Sequence, residues 1–167
     1  MSAPLEIERK YIIKIPKVAY MKEYPPYTVS KITQTYLIAD ELTHRVRMRE
    51  MSGKVTYTET RKTRIDEMSV IEDEREITVG EYERLLQKRD TALTPIEKQR
   101  HTFFYKGHTF EVDIYPFWKN TCVLETELSS REEQVEFPSF IEVVKEVTGN
   151  KAYSNHALSH KVPPEIV

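Results

Sequence analysis

Apolar and polar residues alternate with period two along most of the chain. The alternation recurs around Glu6–Ile13, Lys31–Ile38, His44–Arg49, Val55–Lys62, Val70–Ile77, Ile96–Tyr105, Thr109–Tyr115 and Val123–Leu128, in short pieces bounded by Gly, Pro, Asp or Ser. Eight such pieces predict an antiparallel sheet or barrel. Three stretches break the rhythm. Lys17–Tyr24 predicts a short helix that stops at Pro25-Pro26, because a residue before proline is pushed out of the α region. Glu81–Arg89 places Tyr82, Leu85 and Leu86 on one helical face after Gly80. Phe137, Phe140, Ile141, Val144 and Val147 recur at helical spacing, with Pro138 suited to a first turn and Gly149 to a stop. That spacing predicts a third helix, the best formed of the three.

Side chains two apart on a strand share a face, so the charges can be sorted by face. The first strand groups Glu6, Glu8 and Lys10, and the third groups Arg45, Arg47 and Arg49 opposite Val46 and Met48. The fourth ends its Thr56, Thr58, Thr60 face with Lys62, and the fifth aligns Glu72, Glu74 and Glu76. Lys98 and Arg100, Glu111 and Asp113, and Glu125 and Glu127 follow on the last three strands, the final two pairs backed by Val112, Ile114, Leu124 and Leu128. A single strand of this kind is ordinary, apolar side in and charged side out. Rows of like charge along single strands repel, however, unless a counter-charged ligand sits between them. The face holds nine acids and seven bases, which no apolar core contains.

At 167 residues the chain is one domain, 1–167, with no room for a second. Its net charge of −2 excludes a general nucleic-acid or membrane-surface binder, although a local patch remains compatible with it. The longest apolar runs are four residues, such as Tyr36–Ala39, far below a membrane span or a signal-peptide core. A soluble, cytoplasmic protein is expected. The single cysteine, Cys122, excludes a disulfide framework and a zinc site built from Cys pairs. Four scattered glycines exclude a G-x-G-x-x-G loop, a Walker A loop and a G-x-S-x-G elbow, so any phosphate must be held by side chains.

A closed barrel of about eight strands has an interior that side chains fill or that holds one small ligand. Here the filling is charge. Buried charges persist when paired or bound to metal, so carboxylates facing bases imply divalent cations and a polyanion sharing one cavity. Hard oxygen ligands select Mg²⁺ or Mn²⁺, and Arg and Lys clamp the remaining phosphate oxygens.

Glu6-Ile7-Glu8-Arg9-Lys10 resembles the E-x-E-x-K signature of the CYTH superfamily, the triphosphate tunnel metalloenzymes. Its order with the remaining motifs makes the match specific: Arg47 and Arg49, Lys62, Glu74 and Glu76, Lys98 and Arg100, Glu111 and Asp113, Glu125 and Glu127, then Lys151, Tyr153, Asn155 and Leu158. The resemblance runs from Glu6 to Leu158. It implies a mainly β, α+β fold, an eight-stranded antiparallel β-barrel tunnel with helices packed outside. By similarity Glu6, Glu8, Glu125 and Glu127, with Asp113, bind metal, Mg²⁺ or Mn²⁺. Lys10, Arg45, Arg47, Arg49, Lys62, Lys98 and Arg100 hold phosphates, and Lys151 closes the tunnel. Both Arg45/Arg47 and Arg47/Arg49 fit the R-x-R motif. Members often carry a basic residue where this chain has Glu72 and an arginine where it has Ala152.

The expected activity is metal-dependent hydrolysis of a linear triphosphate, inorganic tripolyphosphate first, to pyrophosphate and phosphate. Glu8, Glu127 and Lys10 are the expected catalytic residues, and a small polyphosphate the expected partner. An adenylate cyclase making cyclic AMP from ATP is the alternative within the family, and a non-catalytic polyphosphate-binding domain the alternative outside it. His156 and His160, four apart, lack the glutamate of an H-E-x-x-H motif and read as surface histidines. Cys122 reads as a small buried hydrophobe. Phe103, Phe104, Tyr105, Tyr115, Phe117 and Trp118 read as packing residues outside the barrel rather than a stacking platform.

Overall fold

The computed structural model describes residues 5–39 and 43–166. Its strands are β1 (Leu5–Lys14), β2 (Thr28–Tyr36), β3 (Thr43–Met51), β4 (Lys54–Arg64), β5 (Ser69–Ile77), β6 (Ile96–Tyr105), β7 (His108–Ile114), β8 (Thr121–Glu127) and β9 (Val143–Glu146). All pairings between them are antiparallel, in the order β5-β4-β3-β2-β6-β7-β8-β1-β9. Glu6 of β1 also pairs with Val70 of β5, and this closes the first eight strands into a barrel. The expected eight-stranded antiparallel barrel is therefore present, with β9 added along β1.

Residues directly opposite in an antiparallel ladder share a face, so register carries the inward face around the barrel. Glu8 lies opposite Glu127, Lys10 opposite Glu125, and Glu125 opposite Glu111. Asp113 faces Arg100, Lys98 faces Ile32, and Ile32 faces Arg49. Thr58 stands between Arg47 and Glu76, and Lys62 opposite Glu72. All the charges sorted by alternation fall on this one face.

The outward face carries the apolar packing. Tyr11, Ile13, Phe103, Phe110, Val112, Cys122 and Leu124 pack with Met21 of the short helix α1 (Val18–Met21). Leu37, Val46 and Ile77 pack with Tyr82 of α2 (Val79–Leu86). The α2 helix begins two residues before the alternation suggested, because Thr78 caps it: the Glu81 backbone N–H donates to Thr78 Oγ1, and Glu81 reaches back to the Thr78 N–H.

The third expected helix does not form. Phe137, Phe140 and Ile141 instead cover the outward face, with the Phe137 ring 5.0 Å from Tyr11 edge to face and Phe140 5.7 Å from Phe103. Val143–Glu146 then becomes β9, because the second half of β1 has left β5 and offers a free edge at Tyr11–Ile13. The helix in this part of the chain is α3 (Asn155–His160), capped by Ser154 and preceded by a 3-10 turn at Lys151–Tyr153. Among the described residues, no helix is long and apolar enough to cross a membrane.

Candidate functional site

The tunnel encloses a cavity of about 520 Å³. Its walls carry Glu6, Glu8 and Lys10 from β1, Arg45, Arg47 and Arg49 from β3, Lys62 and Arg64 from β4, and Glu72 and Glu74 from β5. Arg100, Glu111, Glu125 and Glu127 complete the barrel side, while Lys151, Ser154, Asn155 and His156 close over it from the C-terminal segment. All three β3 arginines line the cavity, so both readings of the R-x-R register face inward.

The charges are segregated. Acids dominate β1, β7 and β8, whereas β3 supplies bases alone. Three arginines in a row leave donors unspent: Nε of Arg45 and Nε of Arg49 are buried without a hydrogen-bond partner. Burial, with Arg45 and Arg100 nearby, pulls the Arg47 pKa down to about 9. Arg47 is aimed by Gln34, whose Oε1 accepts from Nε at 3.1 Å and Nη2 at 2.7 Å. Gln34 in turn donates to the Tyr36 hydroxyl at 3.2 Å.

On the acidic wall, Lys10 Nζ lies 3.2 Å from Glu125 and also donates to the Tyr153 carbonyl at 3.3 Å. Burial works against its charge, but Glu125 and Glu8 outweigh it and hold the Lys10 pKa above the ordinary value. The Glu125 carboxylate, with burial, pushes Glu8 up to about 7. Glu6 rises to about 9, through burial and a hydrogen bond shared with Glu72. Crowded carboxylates of this kind call for a cation.

Two residues expected in the site lie beneath it. Lys98 and Asp113 do not line the cavity; their side chains are 0% and 1% exposed and bond to each other at 2.8 Å. Asp113 also accepts from Arg100 Nε at 2.8 Å and Nη2 at 2.9 Å, so both its oxygens are taken by bases. In this arrangement Asp113 is engaged by Lys98 and Arg100, and Lys98 by Asp113, beneath the cavity wall. Arg100 Nη1, fixed by this pair, points to Glu111 at 2.9 Å.

Face sorting overlooked Gln34, Tyr36, Thr43, Arg64 and His156. Arg64 extends the β4 row one step past Lys62, and Gln34 is a polar residue on the inward period of β2, so alternation carried both signals. His156 reaches the cavity, its ring 5.0 Å from Tyr36, through the fold of the C-terminal segment rather than any strand period. Tyr115 belongs inside as well: with Ile12, Tyr36, Ile96 and Val123 it forms an apolar plug, backed by Trp118, Tyr153 and Leu158.

No protein-family model and no curated protein matches the chain. Solved structures do. The inorganic triphosphatase NE1496 superposes with a TM-score of 0.58 over 95% of this chain and 97% of that one, at 24% identity. A second structure of NE1496 gives 25% identity over 95% and 99%, with the same TM-score of 0.58. The PH1819 protein from Pyrococcus horikoshii OT3 gives a TM-score of 0.60 at 18% identity over 76% of this chain and 80% of that one.

Proposed function

Starting from the CYTH triphosphate tunnel fold that these likenesses and the barrel establish, we propose that the chain is a metal-dependent hydrolase of linear triphosphates, acting first on inorganic tripolyphosphate. The observation that carries the reading is the row of unspent arginine donors facing a wall of crowded carboxylates across one cavity. The name of NE1496 as an inorganic triphosphatase supports it. Of the cavity-lining residues, Tyr36 is the one large aromatic, and its ring is already engaged edge-on by His156. Nothing there offers a free face for a base to stack on.

Whether the acids suit a metal is decided by their chemistry. Among the described residues, no three His, Cys, Asp or Glu side chains are already gathered as a ligand set. Mg²⁺, however, commonly takes one or two carboxylates and completes its shell with water and substrate phosphates. The pressed pair Glu8 and Glu125, flanked by Glu6 and Glu127, fits that demand. These four would hold Mg²⁺ or Mn²⁺, which supplies Lewis-acid polarisation of phosphoryl oxygens and a lowered pKa for water.

The remaining work falls to the protein's own groups. Arg45, Arg47, Arg49 and Lys62 hold phosphate oxygens on one wall, and Arg100, fixed by Asp113, holds them on the other. Arg presents a planar fork to them, and charge developing on the phosphoryl group and the leaving pyrophosphate meets donors already in place. Glu8 faces the cavity with Glu127 opposite it in the ladder, and this pair is placed to orient the attacking water. Lys10 neutralises Glu125 and keeps that wall from repelling the substrate.

The test is a product panel with tripolyphosphate, ATP and thiamine triphosphate in Mg²⁺ or Mn²⁺, on the native chain and on Glu8→Gln. Orthophosphate from tripolyphosphate, lost by about 100-fold or more in the variant, is the expected result. Cyclic AMP as the main product from ATP, with tripolyphosphate only inhibiting, would make the chain a cyclase.

A further inference from the structure

We propose that Glu72 is a specificity-determining residue, a built-in anion at the Arg45 and Lys62 end of the cavity that sets how long a polyphosphate the tunnel accepts. The inference rests on the reading of the cavity as a linear-polyphosphate site. Glu72 projects inward from β5, directly opposite Lys62. Its Oε1 lies 3.8 Å from Arg45 Nη2 and 3.9 Å from Lys62 Nζ. Both separations exceed a hydrogen bond, so the carboxylate neutralises these bases without saturating them. Arg45 Nε, buried with no partner, is consistent with that.

Arg47 and Arg49 are not opposed in this way. Among the described residues, no carboxylate pairs with either, whereas Arg100 is bonded to Asp113 from behind and to Glu111 at the cavity wall. A phosphate seated on Arg47 and Arg49 therefore meets bases alone. A phosphate reaching further, to Arg45 and Lys62, meets two bases and a carboxylate placed between them. Glu6, 3.9 Å from the same Lys62, shares a hydrogen bond with Glu72 and holds it at that end. One step further along β4 the cavity wall is basic again at Arg64, which without Glu72 would draw a longer chain onward. Specificity of this kind comes from repulsion of the wrong ligand rather than from extra attraction for the right one.

The experiment replaces the charge and keeps the shape. Glu72→Gln is compared with the native chain by calorimetry in EDTA, using pyrophosphate, tripolyphosphate, tetrapolyphosphate and longer linear polyphosphate. KM and kcat for the three- and four-phosphate chains are measured with Mg²⁺. Glu72→Ala provides a second variant if the first folds poorly, and Glu76→Gln, inward on the same strand but outside the cavity lining, is the control. The expected result is a gain in affinity that grows with chain length, about tenfold for tetrapolyphosphate and under about twofold for pyrophosphate. The KM preference then shifts toward the longer chain, and Glu76→Gln changes neither. A gain equal for every chain length, or an equal gain in the control, would overturn the inference. So would loss of metal-dependent turnover with no gain in anion affinity, which would make Glu72 a metal ligand. If the native chain hydrolyses tripolyphosphate and Glu72→Gln is unchanged, the inference alone fails; if the native chain binds no polyphosphate, the functional reading falls and the inference with it.

Discussion

Lys98 and Asp113 carry opposite charges in the same sealed layer, yet removing each has a different consequence. Asp113 accepts three hydrogen bonds, from Lys98 and twice from Arg100. Burial opposes its charge, but Arg100 and Lys98 outweigh burial and hold its pKa far below the ordinary carboxylate value. Burial lowers the Lys98 pKa to about 7, so its charge depends on Asp113 more than that of Arg100 does. Asp113→Asn strands two cations and is expected to cost about 3–5 kcal/mol. Lys98→Met leaves Asp113 forked to Arg100 and is expected to cost less than about 2 kcal/mol. Because the folded pKa of Asp113 is depressed, its stabilisation is present above the unfolded value of about 3.9 and is lost as pH falls from there toward the folded value. Urea unfolding of both variants at pH 7, and of Asp113→Asn down to pH 3, checks this. The deficit of Asp113→Asn should narrow below about pH 4, and equal costs for the two variants would contradict the assignment.

These two residues also mark where sequence reading ends at this scale. Alternation correctly turned Lys98 and Asp113 inward, as it did the other fourteen sorted charges. Depth along the tunnel is another matter. It depends on strand tilt and stagger around the barrel, which no single strand encodes. A residue at the plug and one at the cavity wall have the same period.

At the scale of elements, the strands were legible because one face of each is charged and the other apolar over several repeats. The segment from Phe137 to Val147 was not, because its apolar residues serve two surfaces in turn. Phe137, Phe140 and Ile141 fill a groove outside the barrel, while Val144 and Val147 reach the plug. A helical spacing arose from a turn at Pro138–Ile141 and a short strand placed end to end. Past Val147 the chain becomes a strap that carries Lys151 and His156 to the cavity, and its attachment point is Gly149. Gly149 has φ +73°, and a Cβ there would lie 2.8 Å from both Cβ and the carbonyl oxygen of Glu67. Glu67 itself is tied down, its carbonyl accepting from Arg64 at 3.2 Å. Gly149→Ala is expected to cost about 1–3 kcal/mol and to move the strap away from β4 and β5. Lys151 moves with it, so KM for tripolyphosphate should rise severalfold more than kcat falls. Thermal melting and steady-state kinetics read both effects; an unchanged KM would detach the strap from substrate binding.

At the scale of the molecule, an apolar plug closes part of a tunnel whose wall carries, at Arg47 and Arg49, charge with no paired carboxylate among the described residues. The plug, through Ile12, Tyr36, Ile96, Tyr115 and Val123, and the two outer clusters supply the burial that holds the barrel together. The β3 arginines contribute nothing to that burial. Burial first, then the nearby Arg45 and Arg100, press on the charge of Arg47 and lower its pKa. Function and stability therefore pull apart in this wall, and the empty protein bears the cost that the bound polyanion removes. A ligand that binds only the folded state stabilises it by RT ln(1 + [L]/Kd), about 2.7 kcal/mol at a hundredfold excess over Kd. Tripolyphosphate with Mg²⁺ is expected to raise Tm accordingly, and added salt to shrink the shift by screening the attraction. Arg49→Gln separates the two contributions, since Arg49 Nε has no hydrogen-bond partner to lose. The variant should melt at or above the native temperature when empty, and its ligand-induced shift should be clearly smaller. A variant that melts well below the native protein when empty, yet keeps the full shift with tripolyphosphate, would mean that Arg49 supports the barrel and that the anion binds elsewhere.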